Sequence, residues 1–231
     1  MERRPEPELM DEAEQARAYA AADFDEPHRH FVELLSDRLG PGAGRGRALD
    51  LGCGPGDISF RLAAARPGWA IEGVDGSRAM LELAEVDPRR AACRDRVTFT
   101  LARLPDEEPA GSAFDLVLSN SLLHHLADPL VLWRAAAGLV AAGGQIFVMD
   151  LARPGSPAAG RDLVARYAAG EPEVLRRDFH ASLLAAYRVD EVSAQLAGVG
   201  LGHLTVEMVS DRHWIAHGSV AGRRGEEGSN A

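Results

Sequence analysis

Glycines stand at every second place in "ALDLGCGPGDISFRLA", Ala48 to Ala63: Gly52, Gly54 and Gly56 lie between two acids, Asp50 and Asp57. Glycine at this density allows turns that a Cβ atom forbids and lets a ligand approach the main chain. About 20 residues after the last glycine, the run "AIEGVD" ends in Asp75, where a carboxylate can accept both hydroxyls of a ribose. Bend and acid together read as a nucleoside site. The third glycine comes one place too early for G-x-G-x-x-G, and Asp57 stands where a dinucleotide's pyrophosphate would dock on a helix start. A carboxylate there repels phosphate and suits the first turn of a helix, so Asp57 reads as a capping residue. The ligand reads as a nucleoside without phosphate.

The elements around this bend alternate. Ala48–Leu51 is a first strand and Ile58–Ala65 a helix stopped by Pro67 and Gly68; Ala70–Asp75 is a second strand, and Arg78–Val86 a helix that stops near Pro88. Val97–Leu101, Phe114–Ser119 and Gln145–Asp150 continue the series of strands, with a helix over Val131–Val140 that "AAGG" closes. Strands as apolar as "FDLVLS" suit a parallel sheet covered on both faces, and the βαβα rhythm predicts a doubly wound α/β fold. Residues 154–200 break the rhythm with two or three helices. His203–Ser210 and Arg212–Gly218 then read as an antiparallel pair. Residues 11–39 read as one or two helices, residues 1–10 as frayed, and "GPGAGRGR" as a linker, since its G-x-G precedes a strand instead of following one.

Four stretches resemble motifs of the class I S-adenosylmethionine-dependent methyltransferases, small-molecule type: "LDLGCGPG", "VDGSRAML", "FDLVLSNSLLHHLADP" and "LVAAGGQIFVMD". The resemblance covers roughly residues 46–150. It implies a Rossmann-like, mostly parallel seven-stranded sheet with an antiparallel C-terminal strand, N-terminal helices and a helical insertion after the fifth strand. The chain then divides as a single domain, 1–231, with a helical cap (1–40), a cofactor-binding core (46–150), a substrate-side insertion (154–200) and a flexible tail (219–231). The implied cofactor is S-adenosyl-L-methionine, leaving S-adenosyl-L-homocysteine. By the family pattern Gly52, Cys53 and Gly54 contact its methionine part through main chain, Asp50 helps hold its ammonium group, and Asp75 binds the ribose. Gly76, Ser77 and Met80 border the adenine, and Asn120 lines the path to the substrate. Many members carry an acid after the third strand for the adenine amino group. This chain reads "FTLARLPD" there, which leaves the main chain of Ala102, Arg103 and Leu104 to hold the adenine.

In-line displacement of a sulfonium methyl asks the protein to align nucleophile, carbon and sulfur and to exclude water. A hydroxyl or protonated amine must also lose a proton, and histidine is suited to that near neutral pH. His124 and His125 follow the fourth strand. Neighbours on a helix cannot face the same way, so one of them at most is expected to reach the methyl, and the resemblance favours His124. Asp150, ending the fifth strand, would orient it or polarise the substrate. Tyr19, Phe24, His125, Phe179 and Tyr187 are candidate walls of the acceptor site, and Arg153 a candidate anchor for an anionic acceptor.

Composition narrows the alternatives. With 231 residues, 46% of them apolar, and no apolar run long enough for a bilayer, the chain suits an ordinary soluble domain. Its first residues, "MERRPEPELMDEAEQ", lack a signal peptide's apolar core, so a cytoplasmic location is expected. Net charge is −10 with no basic stripe, which speaks against nucleic acid and anionic membranes as partners. The expected partner is a small-molecule methyl acceptor, met by a monomer or homodimer. All 25 basic residues are arginine, which rules out lysine Schiff bases and the P-loop lysine. Cys53 and Cys93 read as free buried thiols, and no Cys/His spacing indicates a metal, so no metal site is expected. An NAD-dependent oxidoreductase is the alternative from another class, disfavoured by the early third glycine and by Asp57. A methyltransferase acting on RNA or protein is the alternative within the superfamily.

Overall fold

The apolar runs become the centre of a seven-stranded sheet in the computed structural model, which describes residues 1–6, 13–40, 44–107 and 113–221. The strands are β1 (Gly46–Leu51), β2 (Trp69–Asp75), β3 (Val97–Leu101), β4 (Phe114–Asn120), β5 (Val140–Leu151), β6 (Thr205–Met208) and β7 (His213–Ser219). Their order is β3-β2-β1-β4-β5-β7-β6. Pairing is parallel from β3 through β5, and β7 alone runs against its neighbours β5 and β6. The fold is therefore the doubly wound α/β sheet with an antiparallel last strand that the resemblance implies.

Helices α1 (Ala13–Ala21), α2 (Asp25–Leu39), α3 (Asp57–Ala65), α4 (Arg78–Val86), α5 (Leu130–Leu139), α6 (Pro157–Tyr167), α7 (Glu173–Ala185) and α8 (Val189–Gly198) cover the sheet. Two apolar layers result. One joins Leu49, Leu51, Val117 and Trp214 to Trp133 of α5 and Leu196 of α8. The other joins Ala48, Leu116, Leu118 and Phe147 to Phe31 of α2 and Leu62 of α3. The alternation of β1 and β4 residues between these two lists is the pleat of a strand buried on both faces. Where a helix starts beside the site, a side chain fixes it: Ser77 Oγ accepts from Met80 N at the head of α4.

Three expectations change. The segment "AAGG" does not close α5; the helix ends at Leu139 and Val140 already pairs with Phe114, so this segment is the first part of a long β5. Residues 1–6 do not fray. Arg4 N donates to Leu184 O at 3.0 Å, and the Arg3 guanidinium donates to Ala185 O at 2.6 Å and His124 O at 2.9 Å while lying over the Tyr187 ring. Residues 7–10 of that stretch lie outside the described residues. Of the tail, Ser219 closes β7, and Val220 N is bonded to Gly144 O at 2.9 Å; residues 222–231 lie outside the described residues. Among the described residues no helix is long and apolar enough to cross a membrane.

Leu49, wholly buried in β1, tests the weight of the central strands. Leu49→Ala is expected to cost about 2–5 kcal/mol, read as a lower denaturant midpoint with an unchanged slope.

Candidate functional site

The chain leaves β1 toward β2 and returns to pair β4 with the other edge of β1. That reversal opens a crevice at the carboxyl ends of the two strands, and the glycine bend lies in it. Gly52 (φ +74°) and Gly54 (φ +53°) both take left-handed backbone. A Cβ on Gly52 would come within 2.9 Å of Leu122, whereas one on Gly54 would meet nothing within 4 Å. Gly52 thus has no room for a side chain beside Leu122, whereas the Cβ position of Gly54 faces open space. The bend's amides are engaged: Gly52 N and Cys53 N donate to Val74 O at 2.8 and 3.1 Å, and Gly54 N to Asp75 Oδ2 at 2.8 Å. Asp75 also accepts from Ser77 N at 2.8 Å. One carboxylate therefore ties the bend to the head of α4.

Three cavities meet along this crevice, and Tyr19 and Asn120 line all of them. The first, of about 120 Å³, is bordered by Gly52, Gly54 and Asp75. Gly76, Ser77, Met80, Ala102, Arg103 and Leu104 also line it. The second, of about 330 Å³, reaches Asp50, Cys53 and Asp57. The third, of about 340 Å³, is walled by Phe24, His124, His125 and Phe179. Asn120 Oδ1 is buried and has no hydrogen-bond partner among the described residues. Burial pushes the Tyr19 hydroxyl up to about 12, with Asp75 adding to the effect.

Asp50 is 1% exposed and accepts one hydrogen bond, from Ser59 Oγ at 2.6 Å. Burial, which this single bond only partly offsets, pushes its carboxyl up to about 7. The Cys53 thiol is likewise raised by burial. Asp57 does not cap α3: the residue before the helix is Gly56, and the Asp57 carboxylate accepts instead from Arg61 Nε at 2.7 Å and from Arg89 Nη1, and faces His28 Nδ1 at 2.6 Å. Burial alone would raise its pKa, but His28, Arg89 and Arg61 hold it well below the usual carboxylate range.

His124 and His125 occupy a single tight turn, Leu123–His125, not a regular helix. Their rings consequently lie side by side, with centroids 4.2 Å apart, and both border the third cavity. His125 thus lies on the wall of the acceptor cavity where it was expected, with His124 beside it. His124 Nδ1 lies 2.5 Å from Asp150 Oδ1, and its amide donates to the other carboxylate oxygen at 3.2 Å. Burial opposes the charge on His124, yet Asp150 and Glu6 outweigh it and keep the imidazole pKa above its ordinary value.

One expected anchor and one expected wall lie elsewhere. Arg153 is 6% exposed and fully engaged in structure: it donates to Met1 O, Ala186 O and Glu191 Oε1 at 3.1, 3.0 and 2.5 Å. It borders none of the three cavities and is no anchor for an anionic acceptor. Tyr187 packs into the core beneath Arg3 and borders none of them either. The backbone bridge between Ala152 and Tyr187 draws both residues into the contact with the first residues of the chain. Residues not expected at the site are Glu6, beside both histidines, and Arg212 and His213, on the third cavity's wall. Glu6 has no local signal. Arg212 and His213 had a topological one, because an antiparallel last strand must begin where β5 ends, and Leu151 pairs with His213.

Residues 49–146 match the family model of a methyltransferase domain. The trans-aconitate 2-methyltransferase of Methylobacterium radiotolerans is 39% identical over 135 residues, covering 56% of this chain and 48% of that protein. The 27-O-demethylrifamycin SV methyltransferase of Amycolatopsis mediterranei is 30% identical over 190 residues, covering 82% of this chain and 66% of that one. The chain thus spans less than two thirds of the length of these curated relatives. The solved phosphoethanolamine N-methyltransferase 2 of Haemonchus contortus, in complex with S-adenosyl-L-methionine, shares the fold with a TM-score of 0.65 at 17% identity, over 92% of this chain and 58% of that one. The chain therefore contains a methyltransferase domain, matched over residues 49–146, on the fold shared by the solved S-adenosylmethionine-dependent methyltransferases.

The Asp57 cluster supplies a test of the local electrostatics. A carboxylate whose folded pKa is depressed contributes stability that is present above its unfolded pKa and lost as pH falls toward the folded one. Asp57→Asn is expected to lower stability at pH 7 by about 1.5–3 kcal/mol, with the gap to the parent closing as pH is lowered beneath the ordinary carboxylate range in a series of urea titrations.

Proposed function

We propose that this chain binds S-adenosyl-L-methionine in the first two cavities and transfers its methyl group to a hydroxyl or amine of a small molecule in the third. The observation that carries the reading is the meeting of the three cavities at Tyr19 and Asn120. A ligand bent around Gly54 would have its nucleoside against Asp75 and Met80 and its amino-acid end toward Asp50, with its sulfonium near Asn120. The chemistry of the walls supports this. The amides of the bend are already used, so what it offers a ligand is acceptors, which suit an ammonium group better than a phosphate. A cavity of about 340 Å³ accommodates a small molecule. The two curated relatives described above are named for acceptors of that kind. On this reading residues 1–40 and 154–200 form the acceptor side of one domain, and S-adenosyl-L-homocysteine is the product.

The acceptor is activated at the histidine pair. Asp150, by accepting a hydrogen bond from Nδ1–H, leaves the neutral His124 ring with a lone pair on Nε2. Phe24 and Phe179 exclude water and hold the acceptor by its apolar parts, and Tyr19 closes the space between acceptor and methyl. Alignment of nucleophile, carbon and sulfur then supplies much of the rate.

Titration calorimetry with S-adenosyl-L-homocysteine and with NAD tests the class: the first is expected to bind and the second not, and binding of NAD alone would overturn the reading. Asp75→Ala is expected to weaken cofactor binding by tenfold or more, roughly 1.4 kcal/mol. His124→Ala is expected to spare it and to slow turnover by about 10²-fold or more, once release of S-adenosyl-L-homocysteine from a metabolite extract has identified the acceptor. Asp50 adds a pH dependence. Its carboxylate ionises at about 7 in the folded chain, and only the ionised form attracts an ammonium. Cofactor affinity is therefore expected to rise from pH 6 to 7.5, by somewhat less than about tenfold, and Asp50→Asn to flatten that rise.

A further inference from the structure

Glu6 reaches the histidine pair from the first residues of the chain. Its Oε1 lies 3.4 Å from His124 Nε2 and 3.3 Å from His125 Nδ1, and it makes no hydrogen bond among the described residues. Its other oxygen is held by Ser182 Oγ at 3.3 Å. The three atoms Oε1, Nε2 and Nδ1 all lie within 4.8 Å of one another. A direct charge-assisted hydrogen bond would bring such atoms to about 2.7–2.9 Å. Bonds of about 2.0–2.2 Å to one tetrahedral cation instead place adjacent ligand atoms roughly 3.3–3.5 Å apart, and both distances fall in that interval.

The surroundings fit the same geometry. Asp150 accepts from His124 Nδ1 behind the ring, the arrangement in which a carboxylate fixes the tautomer of a metal-bound histidine and raises its basicity. Two imidazoles and one carboxylate are the donor set of an open catalytic site for zinc or a related divalent ion. The cluster is also dry: the His124 side chain is 3% exposed and that of Glu6 10%. On the cavity side, His124 and His125 border the space assigned above to the acceptor.

We propose that Glu6 Oε1, His124 Nε2 and His125 Nδ1 hold one divalent transition-metal ion of the zinc type, with its fourth position open to the third cavity. The inference deepens the functional reading and rests on it for the acceptor's place. A hydroxyl bound at the fourth position loses its proton to water in the cavity. Its oxygen then forms the bond to the methyl carbon as the carbon–sulfur bond breaks, and that electron pair stays on sulfur as a neutral thioether. Glu6 and Asp150 together bring two negative charges against the ion's two positive ones, so the site adds no net charge beside the sulfonium.

The test uses the full chain, stripped with chelator and titrated with Co²⁺ and Zn²⁺. One Co²⁺ per chain with the intense visible bands of a tetrahedral site is expected, displaced by Zn²⁺. Glu6→Gln and His125→Ala are each expected to weaken binding by at least tenfold, and Asp150→Asn by about 10–100-fold. Circular dichroism checks the fold of each variant. X-ray absorption of the zinc-loaded parent, showing two imidazole nitrogens at the metal, gives the same answer without any variant. Absence of stoichiometric binding, or binding indifferent to Glu6→Gln and His125→Ala, would overturn the proposal and leave a proton shared between His124 and its two carboxylates. Calorimetry with S-adenosyl-L-homocysteine is run on the same samples. Metal binding without it would leave the site standing and sink the methyltransferase reading, and the converse result would do the opposite.

Discussion

Strands β1 and β4 are hydrogen-bonded neighbours that the chain visits from opposite directions. The helices following them must diverge, one to each face, and no side chain can fill the gap at the strand ends without blocking both turns. Everything of chemical interest hangs on that gap. The glycine bend leaves β1, Asn120 ends β4 and the histidine turn follows it, Asp75 ends the flanking strand β2, and Asp150 is the last residue but one of β5. The parallel register carries these ends to one level: Asp50 pairs with Gly73 and Leu118, and Asn120 with Met149. Residues far apart in sequence thus converge because hydrogen bonds between strands leave them no other place.

Burial then sets what each acid can do. Asp75 spends its oxygens on two amides of its own fold, which fixes the bend in place before any ligand arrives. Asp150 is neutralised by an imidazole and two amides, and His124 holds its pKa below the ordinary value against the burial that would raise it. Asp50 has a hydroxyl alone and is driven toward neutrality. Glu6, buried beside the histidines, is likewise raised by burial even though His124 opposes it. Two carboxylates with full partners shape the site, and two with too few partners await positive charge.

Much of this was legible in the sequence, for a physical reason. Strands covered on both faces are apolar throughout, so β1 through β4 declared themselves within a residue or two. The acids at strand ends broke that pattern where the sheet ends. β5 was read six residues short, five of them at its start, because Val140 pairs with Phe114 ahead of a register irregularity that precedes the apolar run. The third helix-rich stretch, 154–200, showed its helices but not what they touch. Arg153 was expected to anchor an anionic acceptor and Tyr187 to wall its site. They are instead taken up by Met1 and Arg3, contacts that no local spacing could announce. Glu6 was hidden for the same reason: one acid in a charged, proline-bearing segment carries no pattern until the segment is docked.

That docking depends on arginine at two positions. Arg3 reaches three carbonyls, of Ala185, His124 and Leu126, while lying flat on Tyr187. Arg153 reaches two carbonyls and a carboxylate from a site almost wholly out of water. A planar guanidinium can satisfy several acceptors at once and stack on an aromatic face, and an ammonium cannot do both. These two residues close the chain's first segment over the histidine turn, and Glu6 is delivered by that closure. Arg3 and Arg153 are thus spent on carbonyls and a carboxylate of the fold itself, while Asp50 in the second cavity keeps the Ser59 hydroxyl as its one hydrogen-bond partner among the described residues.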